Sequence, residues 1–169
     1  MHRVVGRTVT VANESQLWNL ARTEWVWARS SAQLRLANAA RWRLSVLLTT
    51  DEAMRTLNRE TRGIDATTDV LSFPTVGDEL ARPGHLPPTR GTGSSSSWPD
   101  LGEIVISASY VEAARGDAET LDDALARTLA HGLCHLLGFD HTTDGQEALM
   151  LRAESALLLD SSKEEDAYR

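Results

Sequence analysis

His131-Gly132-Leu133-Cys134-His135-Leu136-Leu137-Gly138-Phe139-Asp140-His141 is the stretch around which the chain is organised. Three of the protein's five histidines fall within it. His131 and His135, four residues apart, share one face of an α-helix, one turn from each other. Gly138 can end that helix with a residue at positive φ, which lets the chain turn back and bring His141 toward the other two. Three neutral imidazoles converging from a helix and its following turn make a catalytic type of metal site, with one coordination position left for water. The run Leu121 to Leu137, with Leu125, Leu129, Leu133, Leu136 and Leu137, reads as the helix that carries it. A buried histidine triad without an ion would leave ring nitrogens unpartnered in apolar surroundings, which is costly.

Outward from this stretch the pattern is α+β: about four strands packed with helices, in one domain spanning residues 1–169. Thr8 to Val11 alternates as a strand, and Asn13 or Ser15 can cap a helix whose apolar positions include Leu17, Leu20, Ala21, Trp25 and Ala28. Trp18, Trp25 and Trp27 read as packing residues. Trp42 to Leu48 is a second strand, and Thr49-Thr50-Asp51-Glu52 has the pattern of a capping box for a helix that ends at Arg62-Gly63. Val70 to Phe73, stopped by Pro74, and Leu101 to Ser107 are the remaining strands, the last β-branched enough to lie centrally. Ser109 to Arg115 is a short helix, and Asp144 can cap a final helix through Leu159. Residues 76–99, rich in Pro and Ser, read as a long surface loop without the apolar content to order itself.

The net charge of −7 is unevenly spread: residues 1–65 carry +4 and residues 100–169 carry −10. The net charge argues against a generic nucleic-acid binder, while its uneven spread is compatible with one local phosphate-binding surface. No run approaches the apolar length of a membrane span, and the N-terminus lacks the apolar run of a secretory signal. Cys134, the lone cysteine, excludes an internal disulfide. It points about 100° away from His135 on a helix, so a small buried hydrophobe is the preferred reading over a ligand.

Histidines at this spacing with a glycine before the third also occur in metzincin proteases, whose H-E-x-x-H-x-x-G-x-x-H places a general base directly after the first histidine. Here that position is Gly132, which cannot accept a proton. The stretch as a whole resembles the H-G-x-x-H-L-x-G-[YF]-D-H motif of the YbeY family of metal-dependent endoribonucleases, also described as ribosomal RNA maturation factors. Arg62-Gly63-Ile64-Asp65-Ala66-Thr67-Thr68-Asp69-Val70-Leu71-Ser72-Phe73-Pro74 is similar to the family's R-x-x-x-x-P-T-D-V-L-S-F-P. Leu101 to Ser107 is similar to L-G-D-I-x-I-S, and Met150 with Glu154 to its M-x-x-x-E ending. Thr67 and Glu103 depart from the usual Pro and Asp.

The resemblance implies that His131, His135 and His141 bind one zinc ion and, with Arg62, form the catalytic set. Arg62 would hold phosphate oxygens of a single-stranded ribosomal RNA, against the alternative of a partner for its helix's C-terminal dipole. Thr68 and Ser72 either hydrogen-bond RNA or close the strand. Asp69 and Asp140 are candidates for carboxylates that orient the ligand imidazoles, Asp140 equally for a cap of the turn. Implied partners are RNA and proteins of the small ribosomal subunit, with no membrane. The location would be a bacterial cytoplasm, or a mitochondrial or plastid matrix, since the HGLCHLLGF wording and long loop look like eukaryotic, organelle-type members. Two alternatives stand beside this reading: a zinc hydrolase of another substrate class, including a metzincin-like protease, and a non-catalytic ribosome-associated module.

Overall fold

The computed structural model describes residues 1–6, 9–15, 17–76, 83–86 and 98–158. Five strands, β1 (His2–Val5), β2 (Val9–Asn13), β3 (Arg43–Thr49), β4 (Val70–Pro74) and β5 (Asp100–Ser107), form one sheet in the order β1-β2-β3-β5-β4. The helices are α1 (Leu20–Leu36), α2 (Asp51–Arg62), α3 (Ala108–Ala114), α4 (Leu121–Leu136) and α5 (Asp144–Leu158). β2, β3 and β5 run parallel, and β1 and β4 close the two edges antiparallel. The α+β reading and the central place of Leu101 to Ser107 hold. The sheet has one strand more than expected: β1 is mostly exposed, so its side chains carry no alternating apolar signal and its pairing with β2 defines it.

The two faces of the sheet are covered unequally. Leu44, Val46 and Leu48 of β3 and Ile104 and Ile106 of β5 join one large core with Val26 and Leu34 of α1 and Leu125, Leu129 and Leu133 of α4. Leu71 and Val105, with half-buried Leu47, point the other way and pack on Met54 of α2. Alternation along the strands therefore puts α1 and α4 on one face and α2 on the opposite one.

Local chemistry sets most helix ends. Thr50 accepts from the Ala53 amide and Gly63, at φ 72°, ends α2; Thr120 accepts from the Asp123 amide at the start of α4. Two expected caps are displaced. α1 starts after Asn19, whose side chain accepts from the Arg22 amide, while Asn13 stays in β2 and donates to the Trp18 carbonyl and Thr23 Oγ1. α5 is capped by Thr143, whose hydroxyl accepts from the Gln146 amide at 3.3 Å, and Asp144 is its first residue; Leu159 lies outside the described residues.

The buried face of α1 also differs from the expected one. Thr23, Val26, Ser30, Gln33 and Leu34 face inward, and Leu17 and Leu20 are exposed. The polar members are tolerated because each is bonded: Ser30 to the Val26 carbonyl, Gln33 to the Ala126 carbonyl across to α4, Thr23 to Asn13 and the Asn19 carbonyl. Trp18 is buried, and Trp25 and Trp27 pack against the core as expected. Of the Pro/Ser-rich loop, residues 77–82 and 87–97 lie outside the described residues, as do Arg7 and Thr8. Among the described residues no helix is long and apolar enough to cross a membrane.

Candidate metal centre

α4 lies against β4 and β5 at a point where a side chain would be tight. A Cβ on Gly132 would meet Ile104 Cγ2 at 3.0 Å and Ser72 Oγ at 3.1 Å. The Ser72 hydroxyl donates to the Gly132 carbonyl. Ser72 thus ties the edge strand to the histidine helix, the strand-closing alternative of its sequence reading. The same contact disfavours a glutamate at this position: a Cβ on residue 132 would need the Ile104 and Ser72 side chains to give by a few tenths of an ångström.

One residue before and three after Gly132, His131 and His135 rise on the same stripe of α4. The helix then ends in a Schellman motif. Gly138 has φ 82°, its amide donates to the His135 carbonyl, and the Phe139 amide donates to the Cys134 carbonyl, both at 3.0 Å. This turn returns His141 to the other two rings. The Asp140 carboxylate accepts from the His141 amide at 2.8 Å, which is the turn-capping role. Within the cluster, ring nitrogens contributed by the three histidines all lie within 4.8 Å of one another, and Nε2 of His131 and Nε2 of His135 are 3.2 Å apart.

These residues fit a metal ion on two counts. Imidazole nitrogens held at about 2.0–2.1 Å in a tetrahedral site are spaced about 3.3–3.4 Å apart, close to the spacing the first two rings already have. Secondly, ligation needs neutral imidazoles. Burial pushes the His135 imidazolium below its ordinary pKa, reinforced by His131 and His141, against the Phe139 carbonyl and Asp140. His131 and His135 are half-buried and His141 is exposed, so the centre opens to solvent on the side of the turn.

The carboxylate hydrogen-bonded to one of the three rings is Glu154; the two expected aspartates, Asp69 and Asp140, bond to neighbouring hydroxyl and amide groups instead. Glu154 Oε1 lies 2.7 Å from His131 Nδ1, and a proton on Nδ1 leaves the Nε2 lone pair facing the cluster. Glu154 is brought there by α5, where Met150 and Leu157, one turn away on either side, are buried. That placement was the available signal: a carboxylate on the apolar stripe of a helix needs a partner. Asp69 instead accepts from the Thr68 hydroxyl and the Val70 amide, shaping the entry to β4. Cys134 is fully buried and its thiol is pushed up to about 12, chiefly by burial, as befits a core residue.

Arg62 has no contact with the three histidines among the described residues. It ends α2, on the opposite face of the sheet, and is exposed. The structure brings together His131, His135, His141 and Glu154 on α4, its turn and α5, with Ser72 and Gly132 at the base.

The fold and site together define an α+β protein with a three-imidazole centre built on a helix and the glycine turn after it. Residues 10–162 match the model of the family described as endoribonuclease YbeY. An endoribonuclease YbeY from an Anaeromyxobacter species is 40% identical over 130 residues, covering 76% of this chain and 59% of the relative. That of Myxococcus xanthus is 38% identical over 153 residues, 89% of this chain and 46% of the relative. The chain belongs to the endoribonuclease YbeY family, and its matches span about half to three fifths of these relatives' length. A solution structure of a Thermotoga maritima protein shares the fold, with a TM-score of 0.52 at 19% identity over 89% of each chain.

Proposed function

We propose that the protein is a zinc-dependent endoribonuclease that cuts single-stranded ribosomal RNA during ribosome maturation and quality control. The observation that carries this reading is the convergence of His131, His135 and His141 within 4.8 Å in a chain whose relatives are named endoribonucleases. Three imidazoles suit zinc. A bound zinc ion would supply a water of pKa about 7 and polarise a phosphoryl oxygen, which is compatible with a site lacking a carboxylate at position 132.

The protein's own residues set the geometry. His131, His135 and His141 would hold the ion, His131 with its ring orientation fixed by Glu154. Ser72 and Gly132 lock α4 to β4 so that the histidine stripe keeps its place over the sheet edge. Arg62, whose side chain has no hydrogen bond or ion pair among the described residues, would be the cation that meets the negative charge accumulating on the phosphorus. An open, solvent-facing turn at His141 suits a strand whose backbone is laid across the site. Small-subunit ribosomal proteins are the partners this role implies. The compartment would follow the ribosome served: cytoplasm in a bacterium, mitochondrial or plastid matrix in a eukaryote.

The protease alternative is disfavoured by the packing at Gly132 against Ile104. Elemental analysis combined with cleavage assays tests the reading. Wild-type protein should hold one zinc per chain and cut unstructured RNA but not casein, and His135→Ala should lose both zinc and cleavage. A metal-loaded protein that cuts peptides and spares RNA would overturn it.

A further inference from the structure

Arg127 stands one turn before His131 on α4, so Arg127, His131 and His135 form a single stripe at four-residue spacing. Its Nε and Nη2 donate to the two carboxylate oxygens of Glu119 at 3.1 and 3.2 Å. Glu119 lies just before the helix, so this pair sets the plane of the guanidinium. Nη1 and the second hydrogen of Nη2 are left outside the pair, and together they form a second two-pronged edge. The side chain is 53% exposed, so this edge is open to a ligand. The carboxylates of Asp69 and Glu154 also act on the guanidinium, and Glu154 is the residue bonded to His131. Arg127 is therefore one helical turn from His131, in surroundings that are otherwise acidic.

An exposed ion pair of this kind contributes only about 0–1 kcal/mol to stability, so its main effect is to hold the guanidinium in one orientation on the helix face that carries the histidines. Building on the ribonuclease reading, we propose that Arg127 binds a backbone phosphate of the RNA strand at the metal centre, with Glu119 holding the guanidinium in place. Arg62, by contrast, acts on charge that develops during cleavage. The two arginines then separate kinetically: one governs ground-state binding and the other the chemical step.

The test uses an unstructured, fluorescently labelled RNA oligonucleotide. In protein of equal zinc content, Arg127→Ala should raise KM about 10-fold, the scale of one charge-assisted hydrogen bond, with kcat little changed. Arg127→Lys should recover part of the loss. Binding is measured separately on the zinc-loaded protein, with a single-stranded oligonucleotide whose linkages resist cleavage, across a salt series. Arg127→Ala should reduce the slope of log affinity against log salt by about 0.7, one phosphate contact on a single strand. Glu119→Gln provides the contrast: it removes the hold on the guanidinium yet keeps the cation, so RNA should bind less tightly than to the wild type but with a smaller loss than in Arg127→Ala. Unchanged KM and salt slope in Arg127→Ala would overturn the proposal, as would a loss of binding in Glu119→Gln equal to that in Arg127→Ala. If the wild type neither binds nor cuts RNA, the ribonuclease reading falls first and this one with it.

Discussion

Replacing Glu154 should weaken metal binding without unfolding the protein. Its carboxylate lies 2.7 Å from His131 Nδ1 and its side chain is only 15% exposed, so the hydrogen bond is charge-assisted and largely shielded from water. Such bonds contribute about 1.5–3 kcal/mol. Part of that is already present without metal, because the ring is held in both states. The remainder appears when an ion withdraws electron density from the imidazole and makes Nδ1–H a stronger donor. Loss of partners of this type costs about 10–100-fold in metal affinity, or about 1.4–2.7 kcal/mol. Glu154→Ala should fall in that range. Glu154→Gln keeps an acceptor for Nδ1–H but not the charge, and should lose less. Zinc affinity is read by competition with a chromophoric chelator, and the cobalt-substituted protein's visible spectrum reports any distortion of the ligand set. The metal-free Tm should drop by only about 2–4 °C, as expected for a loss of about 1 kcal/mol in a chain of this size. Zinc binding by Glu154→Ala within twofold of wild type would refute the reasoning, since the ring would then need no help to present its lone pair.

Arg62→Ala should keep its zinc and fold but lose about 100-fold in kcat for RNA, and Arg62→Lys should restore only part; wild-type cleavage in the alanine variant would return Arg62 to the role of helix-dipole partner. Gly132→Ala gains about 1 kcal/mol of helix propensity but forces a methyl to 3.0 Å from Ile104, an overpacking cost of about 1–3 kcal/mol; a lower Tm in thermal denaturation is expected, and a higher one would contradict the packing. The lowered pKa of His135 means that the unfolded chain binds more protons than the native one just below the ordinary value of 6.5. Metal-free stability, followed by urea denaturation, should therefore fall as pH drops below that value and on through the lower native pKa. The Cys134 thiol, buried and pushed up to about 12, should resist iodoacetamide in the native protein at neutral pH and react on unfolding.

The parts of this protein written in its sequence are those decided by atoms a few residues apart. The spacing of His131 and His135, the positive φ of Gly138 and the Thr50 cap of α2 each depend on backbone groups within about one or two turns, so residue type and spacing suffice. Cys134 was legible as core because its neighbours along α4 are apolar. What the sequence left open depends on partners brought together by packing. β1 is a strand because β2 lies beside it, not because its own residues alternate. α1 turns Thr23, Ser30 and Gln33 inward because bonding partners wait there. The carboxylate on His131 belongs to Glu154, 23 residues away, whereas Asp69 and Asp140 are taken up by nearby backbone amides. Local hydrogen bonds depend on short spacings that a sequence displays directly, but a contact between α4 and α5 exists only once Met150 and Leu157 are buried in the shared core and the helix is held at one rotation.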